Sequence, residues 1–249
     1  MAPYDLFYLL GDSLIQQSND QEKGFAFTPA LQNAYIRRLD VVNRGFNGYT
    51  TAHMIKILPQ IIPSPQEAKI RLMLILLGAN DSSLPGVEGG QHVPLDQFRD
   101  LLISIATHPS VKAHDARVML VTPPPTDERP REASDVEKGV SGVRRTAANT
   151  SLYAEEVRKI GKELDLPVVD LWSAFMQMAG WKEGEVLLGS KEKDQNPVLE
   201  ELMHDGLHLN PQGYRILYRE VINTIERVWP DQACESLPMI FPTWDVAPR

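Results

Sequence analysis

The chain has 249 residues, 43% of them hydrophobic and 23% charged, a size and mixture suited to one soluble domain with a large core. Its formal net charge of −8 excludes the basic footprint that nucleic acid or an anionic membrane surface requires. The one cysteine, Cys234, excludes an internal disulfide and a zinc–cysteine site.

No stretch approaches the roughly 20 apolar residues of a membrane span. The opening Met1-Ala2-Pro3-Tyr4-Asp5 carries no basic region, and the apolar run after it is short. No secretory signal is therefore expected, and the cytoplasm is the expected compartment. Two glycosylation-type triplets, Asn80-Asp81-Ser82 and Asn149-Thr150-Ser151, mean little without such a signal.

Taken in order, residues 5–10, 40–43, 71–77, 117–122 and 167–171 read as buried strands. The third, Leu72-Met73-Leu74-Ile75-Leu76-Leu77, is apolar on both faces, as a central parallel strand should be. Helix-period segments lie between them. Residues 29–39 begin with Thr28 as a cap and Pro29 at the first position. Leu95, Phe98, Leu101, Leu102 and Ile105 recur at spacings of three and four, as do Tyr153, Val157, Ile160 and Leu164. The last helix, 211–229, repeats at Leu217, Val221, Ile225 and Val228. Strand alternating with helix predicts right-handed βαβ units in a three-layer α/β/α sandwich, with a five-stranded parallel sheet and one domain over 1–249.

Two stretches break the alternation. Residues 123–145 open with three prolines and then mix charges; residues 181–203 follow a glycine and are also charged. Both follow strands, so both project from the carboxyl edge of the sheet, as lids or as solvated excursions. After the last helix, the tail 231–249 carries Leu237, Met239, Ile240, Phe241 and Trp244 among Pro238, Pro242 and Pro248. It is too apolar for a solvated end. It either folds back on its own domain or reaches the site of a partner subunit.

The chemistry concentrates at strand ends. The first strand meets Gly11 and then Asp12-Ser13, which places a serine at the start of a helix on the edge where α/β proteins keep their sites. Ser13 either caps that helix or serves as a nucleophile, and a nucleophile needs a base and a place for an oxyanion. Asp205-Gly206-Leu207-His208 offers an acid and an imidazole three residues apart, able to meet across a tight turn. His204 lacks that spacing and reads as surface; His53, His92, His108 and His114 have no acid at useful spacing. Leu77-Gly78-Ala79-Asn80-Asp81 ends the central strand, where the Asn80 amide either donates into the cleft or makes an Asx-turn. Asn43-Arg44-Gly45-Phe46-Asn47-Gly48-Tyr49-Thr50 follows the second strand, with glycines that permit close backbone approach.

Taken in chain order, these four segments resemble the blocks of the GDSL, or SGNH, hydrolase family, whose fold is flavodoxin-like. The resemblance implies Ser13 as nucleophile, His208 as base and Asp205 as the group orienting it. It also implies an oxyanion hole from the Ser13 N–H, the Gly48 N–H and the Asn80 side chain. Arg44-Gly45-Phe46-Asn47-Gly48-Tyr49-Thr50, Val93-Pro94-Leu95 and Asp205-Gly206-Leu207-His208-Leu209 with Gly213-Tyr214 are similar to the isoamyl acetate-hydrolysing esterase branch. That branch implies hydrolysis of short-chain acetate-type esters without a cofactor or metal, and commonly a homodimer. A carbohydrate deacetylase or thioesterase would use the same residues. A non-catalytic binding module on the same fold is the alternative from another class.

Overall fold

A computed structural model describes residues 4–87, 90–140 and 143–247. Met1-Ala2-Pro3 of the opening segment, Ser141 and Gly142 of the 123–145 excursion, and Pro248 and Arg249 of the tail lie outside the described residues.

The strands are β1 (Asp5–Gly11), β2 (Leu39–Gly45), β3 (Ile70–Leu76), β4 (Arg117–Val121) and β5 (Val168–Val169). They pair in the order β2-β1-β3-β4-β5, every pair parallel. Successive side chains point to opposite faces. Phe7, Leu9, Leu72, Leu74 and Leu76 thus face one apolar layer, while Leu6, Tyr8, Leu10, Met73 and Ile75 face the other. Between Leu6 and Phe7 the register slips by one residue on β3, which turns Arg71 out to pair with Asp5 at 2.8 Å. With both faces covered, truncating a fully buried residue such as Leu74 to Ala should cost about 2–5 kcal/mol.

The helices are α1 (Ser13–Gln16), α2 (Phe27–Ala34), α3 (Thr51–Ile61), α4 (Leu95–Ala106), α5 (Pro109–Lys112), α6 (Glu128–Glu137), α7 (Ala147–Leu164), α8 (Leu171–Met178), α9 (Pro197–Leu202) and α10 (Pro211–Val228). α2, α8 and α10 cover the first face; α3, α4 and α7 cover the second. The three-layer α/β/α sandwich read from the alternation is the architecture found.

Several boundaries differ from the sequence reading, each for a local reason. α2 starts at Phe27 rather than Pro29, because the Thr28 hydroxyl is taken by Ser18 Oγ (2.6 Å) and Asn43 Nδ2 (3.1 Å) and does not cap. β5 is only two residues long, because Asp170 caps α8 by accepting from the Ser173 N–H. On α10 the buried stripe runs through Tyr214, Leu217, Val221 and Ile225, while Val228 lies outside it. α3 was not visible as a periodic segment, and its start is built from Thr50, whose hydroxyl accepts from the His53 N–H while the His53 ring accepts from the Thr50 N–H.

Register fixes where the site must be. Gly11 pairs with Gly45 on one side and with Leu76 on the other, so the loops leaving β1, β2 and β3 emerge side by side at one edge. The tail lies at the other end. Arg38 Nε donates to the Leu237 carbonyl (2.8 Å), Ile240 N–H donates to the Arg37 carbonyl (3.0 Å), and Phe241 meets Tyr4 edge-on. These partners precede β1 and β2, so the tail folds back on its own domain, away from its own Ser13.

Candidate active site

Asp12, not Ser13, caps α1: its carboxylate accepts the Leu14 N–H at 2.9 Å. Ser13 becomes the first helical residue, and its hydroxyl stays available. The short helix is pinned from two sides. Tyr214 on α10 donates to the Leu14 carbonyl (2.8 Å), and Asn43 on β2 donates to the Ile15 carbonyl (2.6 Å). Asp12 is fully buried, and burial raises its carboxyl to about 7, helped by the nearby Asp81 and opposed by Arg145.

Across the edge, the turn before α10 brings His208 to Ser13. His208 Nε2 lies 3.0 Å from Ser13 Oγ, and Nδ1 lies 2.8 Å from Asp205 Oδ2. A carboxylate only accepts, so Nδ1 carries the proton and Nε2 is left to accept from the serine hydroxyl. The other carboxylate oxygen, Oδ1, accepts the N–H groups of Leu207 (3.1 Å) and His208 (2.8 Å), which closes the turn. Burial pushes the Asp205 carboxyl up, but the hydrogen bond and charge of His208, with Arg131 beside it, hold it well below the usual carboxylate range. Gly206 has φ +74°, and a Cβ there would fall 2.1 Å from the Asp127 carbonyl oxygen, so the turn admits only glycine. His204, exposed as expected, nevertheless stacks on the His208 ring at 5.8 Å.

The other two segments meet beside Ser13's loop. Asn80 Nδ2 donates to the Tyr49 carbonyl at 2.9 Å, and Asn80 is buried, which also removes it as a glycosylation acceptor. Gly48 has φ +77°, and its carbonyl accepts from Gln91 Nε2 at 2.6 Å. Asp81 ties the two segments together by accepting the Thr51 N–H (2.9 Å) and hydroxyl (2.5 Å); burial raises its carboxyl to about 6.

Three participants were missed in the sequence: Arg131, Gln91 and Arg145. Arg131 Nη1 donates to Asp205 Oδ2 at 2.9 Å and Nη2 to Asp135 at 2.5 Å. Arg145 Nη2 reaches Asn80 Oδ1 and Gln91 Oε1, each at 3.0 Å. Both arginines belong to the 123–145 excursion, whose charge mixture reads equally as a lid or as a solvated excursion. Three charges of α6 instead turn inward, Glu128, Arg131 and Asp135, all buried. Arg131 and Asp135 are four apart, a helical ion-pair spacing, and that pairing is the one signal that could have marked the segment. Glu128 accepts the Ala147 N–H (2.9 Å) and the Lys191 N–H (3.1 Å), joining this excursion to α7 and to the 181–203 stretch.

The remaining histidines serve the backbone. His108 caps α5, His92 Nδ1 lies 2.6 Å from the Ser83 carbonyl oxygen, and His114 bridges Pro63 and Ile70. Among the described residues, His204, Asp205 and His208 place three ligand-type atoms within 4.8 Å of one another. Two of these residues are already bonded to each other, and Asp205 is paired with Arg131.

A parallel α/β sheet carrying a Ser–His–Asp chain of hydrogen bonds at its carboxyl edge defines a serine-hydrolase type of site. The GDSL-like lipase/acylhydrolase family model matches residues 9–216, and the chain belongs to that family of carboxylic ester hydrolases. It is 30% identical over 247 residues to the isoamyl acetate-hydrolyzing esterase of Saccharomyces cerevisiae, covering 97% of this chain and 94% of the relative. It is 32% identical over 240 residues to the isoamyl acetate-hydrolyzing esterase 1 homolog of Rattus norvegicus, covering 95% and 85%. In fold it is similar to a lipase/acylhydrolase from Enterococcus faecalis (TM-score 0.59, 23% identity, 92% of this chain and 100% of the other). An acetylxylan esterase from Geobacillus stearothermophilus is also similar (TM-score 0.60, 21% identity, 89% and 94%). None of the helices among the described residues is long and apolar enough to cross a membrane.

Proposed function

We propose that Ser13, His208 and Asp205 hydrolyse short-chain, acetate-type esters through an acyl-enzyme. The observation that carries this reading is the unbroken Ser13–His208–Asp205 chain at 3.0 and 2.8 Å. His208 Nε2 takes the hydroxyl proton as Ser13 Oγ attacks the acyl carbon, and Asp205 stabilises the imidazolium. The oxyanion is held by the N–H groups of Ser13 and Gly48 and by the Asn80 amide. The C–O bond breaks, His208 returns its proton to the departing alcohol, and a water activated by His208 then releases the acid.

The acetate preference is supported by the yeast and rat relatives, both named for isoamyl acetate hydrolysis. A panel of p-nitrophenyl esters tests it: kcat/KM should peak at the shortest acyl chains and fall steeply beyond them. A maximum at long chains overturns it. Fluorophosphonate labelling of Ser13 tests the chemistry separately, since a binding module would not label.

A homodimer in the cytoplasm completes the reading. The tail leaves Ile240, Phe241 and Trp244 exposed, the last at 90%, and aromatic side chains of this kind suit an interface core. Sedimentation should give twice the chain mass; a monomer at micromolar concentration overturns the dimer.

A further inference from the structure

We infer that Arg145 is the positioning residue of the oxyanion site, its buried guanidinium setting the orientation of the Asn80 amide directly and the Gly48 backbone through Gln91. The inference rests on the assignment of Asn80 and Gly48 as oxyanion donors proposed above. An asparagine side chain is ambiguous in shape. The oxygen and NH₂ of an amide have nearly the same shape, so packing alone does not decide which faces the cleft. Only charge and hydrogen bonding can, and here Arg145 decides.

Arg145 is 4% exposed and sits just before α7. Its Nε donates to the Ala79 carbonyl (3.1 Å), and Nη2 donates to Asn80 Oδ1 (3.0 Å) and to Gln91 Oε1 (3.0 Å). Flipping Asn80 would set NH₂ against a guanidinium N–H beside a full positive charge. The NH₂ is therefore fixed on the far side, with one hydrogen on the Tyr49 carbonyl (2.9 Å) and the second left for the oxyanion.

Gln91 is oriented in the same way. With its oxygen on Arg145, its NH₂ must point away, and it reaches the Gly48 carbonyl at 2.6 Å. Gly48 and Tyr49 are thus held by their carbonyls, one through Gln91 and one through Asn80, and both amides answer to one guanidinium. Gly48 keeps a left-handed φ of +77°, and a Cβ there would come within 2.9 Å of Gln91 Nε2. A planar fork can serve two amide oxygens and a carbonyl together; an ammonium on a flexible stem serves them less well.

The test is a pair of double-mutant cycles read as kcat and KM separately. Asn80→Ala should lower kcat about a hundred- to a thousandfold, as for a lost oxyanion donor. Arg145→Met should lower kcat about 100-fold with KM within about twofold, and Arg145→Lys should restore about tenfold of that loss. In the Asn80→Ala background, Arg145→Met should cost only about tenfold more, the share carried through Gln91 to Gly48, because its action through the amide is already missing. Equal losses in both backgrounds, or an unchanged kcat in Arg145→Met, overturn the inference. If Arg145→Met does not fold, as judged by circular dichroism, the decision passes to Arg145→Lys and to Gln91→Met, a half-buried loop position. Gln91→Met should lower kcat about tenfold at constant KM and be non-additive with Arg145→Lys; an unchanged kcat or additive losses overturn the inference. The two levels separate cleanly. If Asn80→Ala leaves kcat intact, the oxyanion assignment falls and this inference with it; if Asn80→Ala is slow while the Arg145 and Gln91 variants are not, only this inference falls.

Discussion

Arg131 Nη1 lies 2.9 Å from Asp205 Oδ2, the same oxygen that meets His208 Nδ1 at 2.8 Å. The acid of the proposed triad is thus buttressed by a buried cation from α6, and that cation is in turn balanced by Asp135. Asp205 stabilises the fold above the unfolded carboxylate pKa of about 4, and it loses that contribution only as the pH falls through its lower folded value. Arg131→Met raises the folded value and leaves the buried Asp135 carboxylate without its cation. We expect a loss of about 3–5 kcal/mol at pH 7 by urea unfolding and acid unfolding that begins at higher pH. Wild-type stability at pH 7 would show that the pair contributes nothing.

Ser13→Ala and His208→Ala should each lower kcat by about 10⁴-fold or more, with the double variant little worse than either. Asp205→Asn should cost less than His208→Ala, since the carboxylate orients and stabilises the imidazole without touching substrate. Steady-state kinetics on p-nitrophenyl acetate decide the matter. Multiplicative losses would mean that Ser13 and His208 act in different steps.

Asp12 runs opposite to Asp205. Burial raises its carboxyl to about 7, above its unfolded value of about 4, so its favourable protonated state is fully present below pH 4 and lost as the pH rises through 7. Asp12→Asn keeps an oxygen for the Leu14 N–H and cannot ionise. Relative to wild type it should gain about 1–4 kcal/mol between pH 4 and pH 8 in urea unfolding. A difference that stays flat with pH would remove Asp12 from the set of buried, strained carboxylates.

How much of this was legible in the sequence depended on whether a residue's role was local. The strands announced themselves through unbroken apolar runs, and Asp205 and His208 through a spacing that one turn can close. Glycines at Gly11, Gly48 and Gly78 marked strand-end turns for the same reason. Arg145, Gln91 and Arg131 act across sequence separations of 54, 65 and 74 residues, and no periodicity or spacing records such a pairing. Charge in a proline-rich segment leaves a lid and a solvated excursion equally open, because the desolvating partners lie elsewhere in the chain. Thr28 misled for a related reason: its hydroxyl has a tertiary partner in Ser18, which outcompeted the local cap.

The tail offers a test at the far end of the molecule. Leu237 is buried and belongs to the core, whereas the segment beyond Pro238 is mostly exposed. Truncation after Pro238 should leave the melting temperature within about 4 °C of wild type, a change of less than about 1 kcal/mol. It should weaken the proposed dimer and shift the ester-length preference, with Ser13 still labelled by a small fluorophosphonate. A truncated protein with the full-length mass in solution and the full-length substrate profile would sink the tail's role. Because the tail rests against its own Arg37 and Arg38, any wall it adds to an acyl pocket would, in the proposed dimer, belong to the partner's pocket.

Both oxygens of Glu128 are occupied, one by the N–H of Ala147 and the other by the N–H of Lys191. The two excursions are therefore riveted to each other and to α7 before any ester arrives. Ordering entropy is spent during folding and need not be spent again at each turnover. An enzyme built this way should greet its substrate without a lag. Its selectivity should respond to reshaping the rim far more than to viscosity or temperature, which act on moving lids.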